Sequence, residues 1–134
     1  MEHPNNNDYL KILELEQSFI KLRWSIVTFF ITVSFAIFSF SMQGKVEVVP
    51  AYLQQILAIF VYWFSFFIHV LLHKYTDFLR NYLKSMEENK ETTLKLRTEA
   101  EKYLSKKLLI SITQLLVILG VIYTCIVVAT IVLI

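Results

Sequence analysis

The chain has little of what a soluble domain needs. Of its 134 residues only two are glycine, two are proline and one is cysteine, and Asp, Glu, Lys and Arg together make up 18%. In a soluble domain such charged residues make up about a quarter of the chain. This deficit, with 56% hydrophobic residues and a mean hydropathy of +0.55, excludes an ordinary globular enzyme, a nucleic-acid-binding module and a disordered tail. The composition is that of a membrane protein.

Three long segments, residues 24–44, 48–73 and 108–134, contain no charged residue. A helix needs about 20 apolar residues to cross a hydrocarbon core about 30 Å thick, so each segment is long enough. The runs are continuous and show none of the alternation of a membrane β-barrel. The sequence therefore predicts an all-α integral membrane protein with transmembrane helices at 24–44, 51–73 and 108–134, the first two joined by an external loop at 45–50.

The basic residues predict the orientation, because Lys and Arg near the ends of spans are retained in the cytoplasm. All 13 except Lys45 lie either before the first span or between the second and third spans. We therefore expect a multi-pass protein of the inner (plasma) membrane, with its N-terminus in the cytoplasm and its C-terminus outside.

The segments outside the spans are predicted to be helical. Residues 74–107 are rich in Lys, Glu and Leu and must return to the membrane face that they leave, which predicts a cytoplasmic helical hairpin extending spans two and three, with its reversal at 87–91. An apolar stripe at helical spacing runs along its first half, formed by Tyr75, Leu79, Tyr82 and Met86. Residues 1–23 predict an N-terminal cytoplasmic amphipathic helix with Asp8 as its N-cap. That helix either packs on the hairpin or lies in the membrane interface as an anchor.

Small and polar side chains inside the spans keep to single helix faces. At 100° per residue, one face of the first span carries Ser25, Thr28, Thr32, Ala36 and Ser39. One face of the second span carries a bulkier set, Gln55, Tyr62, Ser65, His69 and His73. In lipid such side chains are costly unless they face another helix, a cavity or a partner subunit.

Two interpretations of these faces remain open. Small residues allow helices to approach closely, which predicts helix packing by the face of the first span and by Gly120 with Thr124 in the third. The face of the second span either packs in the same way or lines a hydrated path, because intramembrane polar residues often mark such pathways. Several copies would have to surround that path, which predicts a homo-oligomer.

No catalytic or cofactor site is expected. His69, His73 and Asp77 have the four-residue spacing of metal ligands on one helix face, but no cysteine pair, second histidine pair or Glu-x-x-His motif accompanies them. Neither a nucleophile with its base nor a phosphate-binding loop is recognisable in the chain. The sequence predicts a protein that is not an enzyme and has no metal and no cofactor.

Cationic side chains on the predicted hairpin suggest a docking surface for a cytoplasmic protein partner. They are Arg80, Lys84, Arg97 and Lys102. The alternative is an ordinary solvated face on which pairs of opposite sign, such as Glu99 with Lys102, satisfy one another.

These patterns lead to two functional hypotheses. The first is a homo-oligomeric ion channel or membrane-perturbing effector, and the second is a non-conducting membrane anchor or immunity protein that binds a partner through its cytoplasmic helices. The element order, a two-span hairpin preceded by a helix and followed by a long cytoplasmic helix, resembles that of small membrane effectors of bacterial anti-phage systems. That resemblance implies a role in antiviral defence. The expected partners are the lipid bilayer and further copies of the chain, with no nucleic acid.

Overall fold

A computed structural model of the chain is helical throughout its main elements and describes residues 6–44, 49–90, 92–104 and 111–133. The described helices are α1 (Asn6–Met42), α2 (Ala51–Glu88), α3 (Leu96–Leu104) and α4 (Ile112–Leu133), and no strand occurs in the described ranges. α1, α2 and α4 are each long and apolar enough to cross a membrane. The prediction of an all-α protein with three helices of membrane-spanning length is confirmed.

The helix ends differ from the predicted boundaries in informative ways. α1 begins at Asn6, two positions before the predicted cap at Asp8, and continues without a break from the N-terminal segment through the first apolar run. α2 continues past His73 to Glu88. Residues 45–48 of the predicted external loop, and residues 105–110 between α3 and α4, lie outside the described residues, so the predicted start of the third span at residue 108 does too.

A residue in the left-handed backbone conformation follows each of the two long helices. Gly44 follows α1 with a φ of 60°, and Lys90 follows α2 with a φ of 59°. The Lys90 amide donates to the carbonyl of Glu87 at 3.4 Å, which closes the last turn of α2. Glycine adopts this conformation at no steric cost, whereas a residue with a Cβ is strained there.

The chain divides into two compact units, and α1 and α2 each contribute a part to both. We call Met1–Arg23 with Leu71–Leu109 the polar unit, because it contains most of the charged residues. We call Trp24–Val70 with Ile110–Ile134 the apolar unit.

The core of the apolar unit is aromatic. Tyr62 of α2 and Tyr123 and Val127 of α4 are buried together. The rings of Tyr62 and Tyr123 lie 5.4 Å apart, and Phe35 of α1 packs edge-on against Tyr123 at 5.0 Å. Aromatic packing of this kind, together with van der Waals contact, is what holds helices together where there is no water to expel.

The core of the polar unit joins the two long helices. Tyr9 of α1 is buried against Leu83 and Met86 of α2, and Ile12 and Leu13 pack beside them. This contact favours the packed alternative for the N-terminal helix over an interfacial anchor. Of the predicted apolar stripe, Leu79 and Met86 are buried, whereas Tyr75 and Tyr82 are exposed. The buried face of α2 also includes Thr76 and Leu83, so it is centred to one side of the predicted stripe, and the two tyrosines lie at its exposed edge.

Candidate functional site

The polar face of α2 lies inside the apolar unit. Gln55, Tyr62, Ser65 and His69 have exposed fractions of 2%, 3%, 1% and 1%. Four polar side chains on one helix are therefore all turned toward α1 and α4. We call these four residues the inner stripe.

Hydrogen bonds connect the middle of the inner stripe to both neighbouring helices. The hydroxyl of Tyr62 donates to the carbonyl oxygen of Leu116 in α4 at 2.9 Å. Ser65 Oγ donates to the carbonyl oxygen of Val27 in α1 at 3.2 Å. A buried hydroxyl needs such a partner in lipid, so these bonds help to fix the relative positions of the three helices.

The ends of the inner stripe are also engaged. His69 Nε2 and Thr113 Oγ1 form a hydrogen-bonded pair at 3.2 Å, and Gln55 Nε2 donates to the sulfur of Met42 at 3.8 Å. The Trp24 ring lies 5.8 Å from that of His69. Within one chain, the inner stripe therefore makes helix contacts of the kind that the packing interpretation predicts.

The face of α1 that carries small and hydroxyl residues is exposed, in contrast to the buried inner stripe. Val27 and Ser34, which face α2, are buried, whereas the predicted packing residues of α1 are exposed on the other side of the helix. Thr32 Oγ1 donates to the carbonyl oxygen of Thr28 at 2.8 Å, within α1 itself. We call this exposed face the outer stripe, and it consists of Ser25, Thr28, Thr32, Ala36 and Ser39.

Gly120 and Thr124 lie where α4 meets α2. A Cβ added at Gly120 would lie 2.6 Å from Cε1 of Tyr62 and 3.3 Å from Cζ2 of Trp63. Trp63 Nε1 donates to Thr124 Oγ1 at 3.1 Å, and Thr124 Oγ1 donates in turn to the Gly120 carbonyl at 2.7 Å. A side chain at position 120 would have to displace the Tyr62 ring, which occupies the space beside Gly120.

The sequence reasoning missed a second interhelical contact in the apolar unit. Ser34 Oγ donates to the carbonyl oxygen of Ala58 at 2.7 Å and lies 3.1 Å from the hydroxyl of Tyr123. Three helices therefore meet at one serine. The available signal was a lone serine on the face of α1 opposite the outer stripe, together with a tyrosine in the middle of α4.

Two of the four predicted docking cations, Arg80 and Arg97, belong to a charge cluster within the polar unit. Glu16 of α1 is fully buried. Its Oε1 atom accepts from Arg80 Nε at 2.8 Å and lies 3.4 Å from Arg97 Nη1. Its Oε2 atom and Arg97 Nε are buried with no hydrogen-bond partner among the described residues. Glu16 therefore ties α2 and the start of α3 to α1.

The two other predicted docking cations are more accessible. Lys84 Nζ lies 3.4 Å from Glu101 Oε2, in a pair that is partly exposed on both sides. Lys102 is exposed. The structure thus places Arg80, Lys84 and Arg97 in ion pairs within the chain, and of these pairs only that of Lys84 with Glu101 is partly exposed on both sides.

His73 connects α1 to this charge cluster. Arg23 Nη1 lies 2.8 Å from His73 Nδ1, and because a guanidinium only donates, Nδ1 is the acceptor. The ring then carries its proton on Nε2, which lies 3.4 Å from Asp77 Oδ2. Burial, followed by the charge of Arg80, lowers the pKa of Arg23, and Asp77 opposes that shift.

Glu87 caps α3 from the end of α2. Its carboxylate accepts the backbone N–H groups of Arg97 at 2.8 Å and Thr98 at 3.0 Å, the Thr98 hydroxyl, and the Tyr9 hydroxyl at 2.5 Å. Burial alone would raise the pKa of Glu87, but these hydrogen bonds outweigh it and lower the pKa. Burial and the bond to Glu87 raise the pKa of Tyr9 to about 12. A carboxylate at a helix N-terminus is favoured by the free N–H groups and the helix dipole.

Chemically, these groups hold helices together. In the part of the chain that the structure describes, no group of three or more His, Cys, Asp or Glu side chains could hold a metal ion. His69 pairs with a threonine and His73 with an arginine. No protein-family model matches the chain, and no match is found among curated proteins or among solved structures.

Proposed function

We propose that this chain is a small homo-oligomeric membrane protein that acts as a channel or membrane-perturbing effector, and that its copies associate along the outer stripe of α1. The observation that carries the proposal is the exposure of this stripe. A helix that only faced lipid would gain nothing from a row of small and hydroxyl residues. The same row allows two helices to approach closely.

The inner stripe supports a particular version of this proposal. Tyr62, Ser65 and His69 are buried and hydrogen-bonded to α1 and α4, so a lumen lined by α2 would require those bonds to break. A ring of copies that meet through α1 needs no such rearrangement. In this version hydroxyl groups of α1 line the water path of the channel, and the inner stripe stabilises each subunit.

The charge distribution supports a location in the plasma membrane with the N-terminus in the cytoplasm, since Lys45 is the only lysine or arginine outside the segments before the first span and between the second and third. The resemblance to anti-phage effectors supports a role in antiviral defence, in which opening of the channel would depolarise an infected cell.

The test compares two double variants of the full chain reconstituted in lipid. Thr28→Leu with Thr32→Leu fills the outer stripe, and Val121→Leu with Val128→Leu makes matched changes on the exposed face of α4. We expect loss of the oligomer in native mass spectrometry, and loss of bilayer conductance, only in the α1 variant. An oligomer and a conductance that survive in the α1 variant would contradict the proposal.

A second candidate function is a non-conducting anchor or immunity protein. It is favoured by the hydrogen bonds that the inner stripe makes within one chain and by the presence of a compact polar unit. Because Arg80 and Arg97 pair with Glu16, docking of a cytoplasmic partner would depend on the more accessible Lys84 and Lys102. A monomer without conductance in lipid would favour this candidate over the channel.

A further inference from the structure

Side chains of α3 are described from Leu96 to Lys102, and over this stretch its attachment to the rest of the polar unit is mostly polar. None of these residues is fully buried, and the side chain of Leu96 is 47% exposed. Among the described side chains, the apolar contact nearest to this stretch comes from Leu94, which precedes the helix and packs against the core of the polar unit.

Charged groups provide most of the described hydrogen bonds and ion pairs of α3, and the Tyr9 hydroxyl also accepts from the Arg97 amide at 3.3 Å. Glu87 accepts the amides of Arg97 and Thr98, Glu16 pairs with Arg97, and Lys84 pairs with Glu101. These contacts connect α3 to both α1 and α2. Water competes for such groups far better than for apolar surface, and salt screens the exposed pairs.

The segment that leads into α3 is held in the same way. Asn6 Oδ1 accepts from the Thr92 hydroxyl at 2.8 Å and from the Thr93 amide at 3.1 Å. Asn6 is the first residue of α1, so its side chain can leave these contacts without any other change in the helix.

The closed arrangement also leaves polar atoms unsatisfied. Glu16 Oε2 and Arg97 Nε are buried and have no hydrogen-bond partner among the described residues. Burial of such atoms is costly, and departure of α3 would hydrate both. By contrast, Tyr9 and the neighbouring Ile12 and Leu13 of α1 pack with Leu83 and Met86 of α2, so the pair of long helices shares an apolar core.

From this asymmetry we infer that α3 is a charge-held strap, which opens and closes on the α1–α2 pair while that pair stays folded. In the closed form the Glu87 carboxylate caps α3. In the open form Glu87 and Glu16 are hydrated, and the buried Tyr9 hydroxyl becomes accessible.

The test is hydrogen–deuterium exchange of the full-length protein in lipid nanodiscs, followed on peptides that cover residues 92–104. Glu87→Gln removes the charge of the cap, and Glu88→Gln is the matched control on the exposed neighbouring residue. A hydrogen bond to a charged group contributes enough that we expect exchange in α3 to rise about tenfold or more in Glu87→Gln. Exchange should also rise in molar salt and stay unchanged in Glu88→Gln, with residues 9–20 of α1 still protected.

Two outcomes would overturn the inference. One is exchange in α3 that responds neither to Glu87→Gln nor to salt. The other is exchange in α3 that always equals that of residues 9–20, because the polar unit would then open only as a whole. If Glu87→Gln does not yield folded protein, Glu101→Gln tests the same strap through its milder pair with Lys84, with a smaller rise expected and no rise counting against the strap.

Discussion

Replacement of Gly120 by alanine provides a sharp test of the packing in the apolar unit. The added Cβ would lie 2.6 Å from the Tyr62 ring, whereas carbon atoms in contact are about 3.5–4.0 Å apart. The ring therefore has to move by about 1 Å. It is buried, and its hydroxyl bonds to Leu116 at 2.9 Å, so the movement strains that bond as well.

The expected free-energy change follows from opposing effects. Overpacking costs about 1–3 kcal/mol, and a weakened hydrogen bond adds about 0.5–1.5 kcal/mol. Alanine favours a helix over glycine by about 0.5–1 kcal/mol. We therefore expect Gly120→Ala to destabilise the protein by about 0.5–4 kcal/mol, measured as the free energy of unfolding in bicelles by steric trapping.

The matched control is Ala129→Gly at an exposed position of the same helix. It measures the intrinsic preference of α4 for alanine over glycine, which is about 1 kcal/mol in helix interiors. If the Tyr62 contact is correct, removing the ring with Tyr62→Leu abolishes most of the penalty of Gly120→Ala in a double-mutant cycle. A Gly120→Ala protein that is more stable than the wild type would refute the close contact.

Three further predictions concern the polar unit. Glu16→Leu leaves Arg80 and Arg97 without their shared carboxylate and should destabilise the protein by about 3 kcal/mol in chemical unfolding; an unchanged midpoint would argue against the buried pair. Lys90→Gly relieves the left-handed strain after α2 and should raise the free energy of unfolding by about 0.5–1 kcal/mol. A decrease in that free energy would mean that contacts of the lysine side chain stabilise the protein by more than the backbone strain destabilises it. Because hydrogen bonding lowers the pKa of Glu87 in the folded state, its stabilising effect is fully present above its ordinary value of 4.5 and is lost as the pH falls through the lowered value. Thermal melting between neutral and acidic pH should therefore show a smaller acid loss in Glu87→Gln than in the wild type, and equal losses would contradict the cap.

The three membrane-length helices could be predicted because an uncharged apolar run is visible in composition alone. Which face of each helix is buried could not be predicted from the same information. Thr32 in α1 and Ser65 in α2 belong to stripes with the same helical period, yet the first is exposed and the second is buried. In lipid no hydrophobic effect drives apolar residues inward, so polarity does not decide which face turns toward a neighbour.

The contacts of the polar unit depended on partners far apart in the chain. The role of Glu16 could not be predicted from its own segment, since its partners Arg80 and Arg97 are on other helices. Glu87 was predicted as part of a polar reversal, but its role as the cap of α3 requires the fold that brings Thr98 to its carboxylate. Local sequence patterns therefore predicted the helices, whereas the buried ion pairs depend on how those helices pack together.

Disulfide cross-linking in native membranes tests the central claim, that copies meet along the outer stripe. The parent protein carries Cys125→Ser, which removes the exposed native cysteine, and single cysteines are then introduced along α1 as Thr28→Cys, Thr32→Cys and Ser39→Cys. The control is Ser34→Cys on the buried face. We expect cross-linked dimers at the three outer positions and none at the control. Cross-linking that is absent at all three, or equally strong at Ser34→Cys, would contradict it.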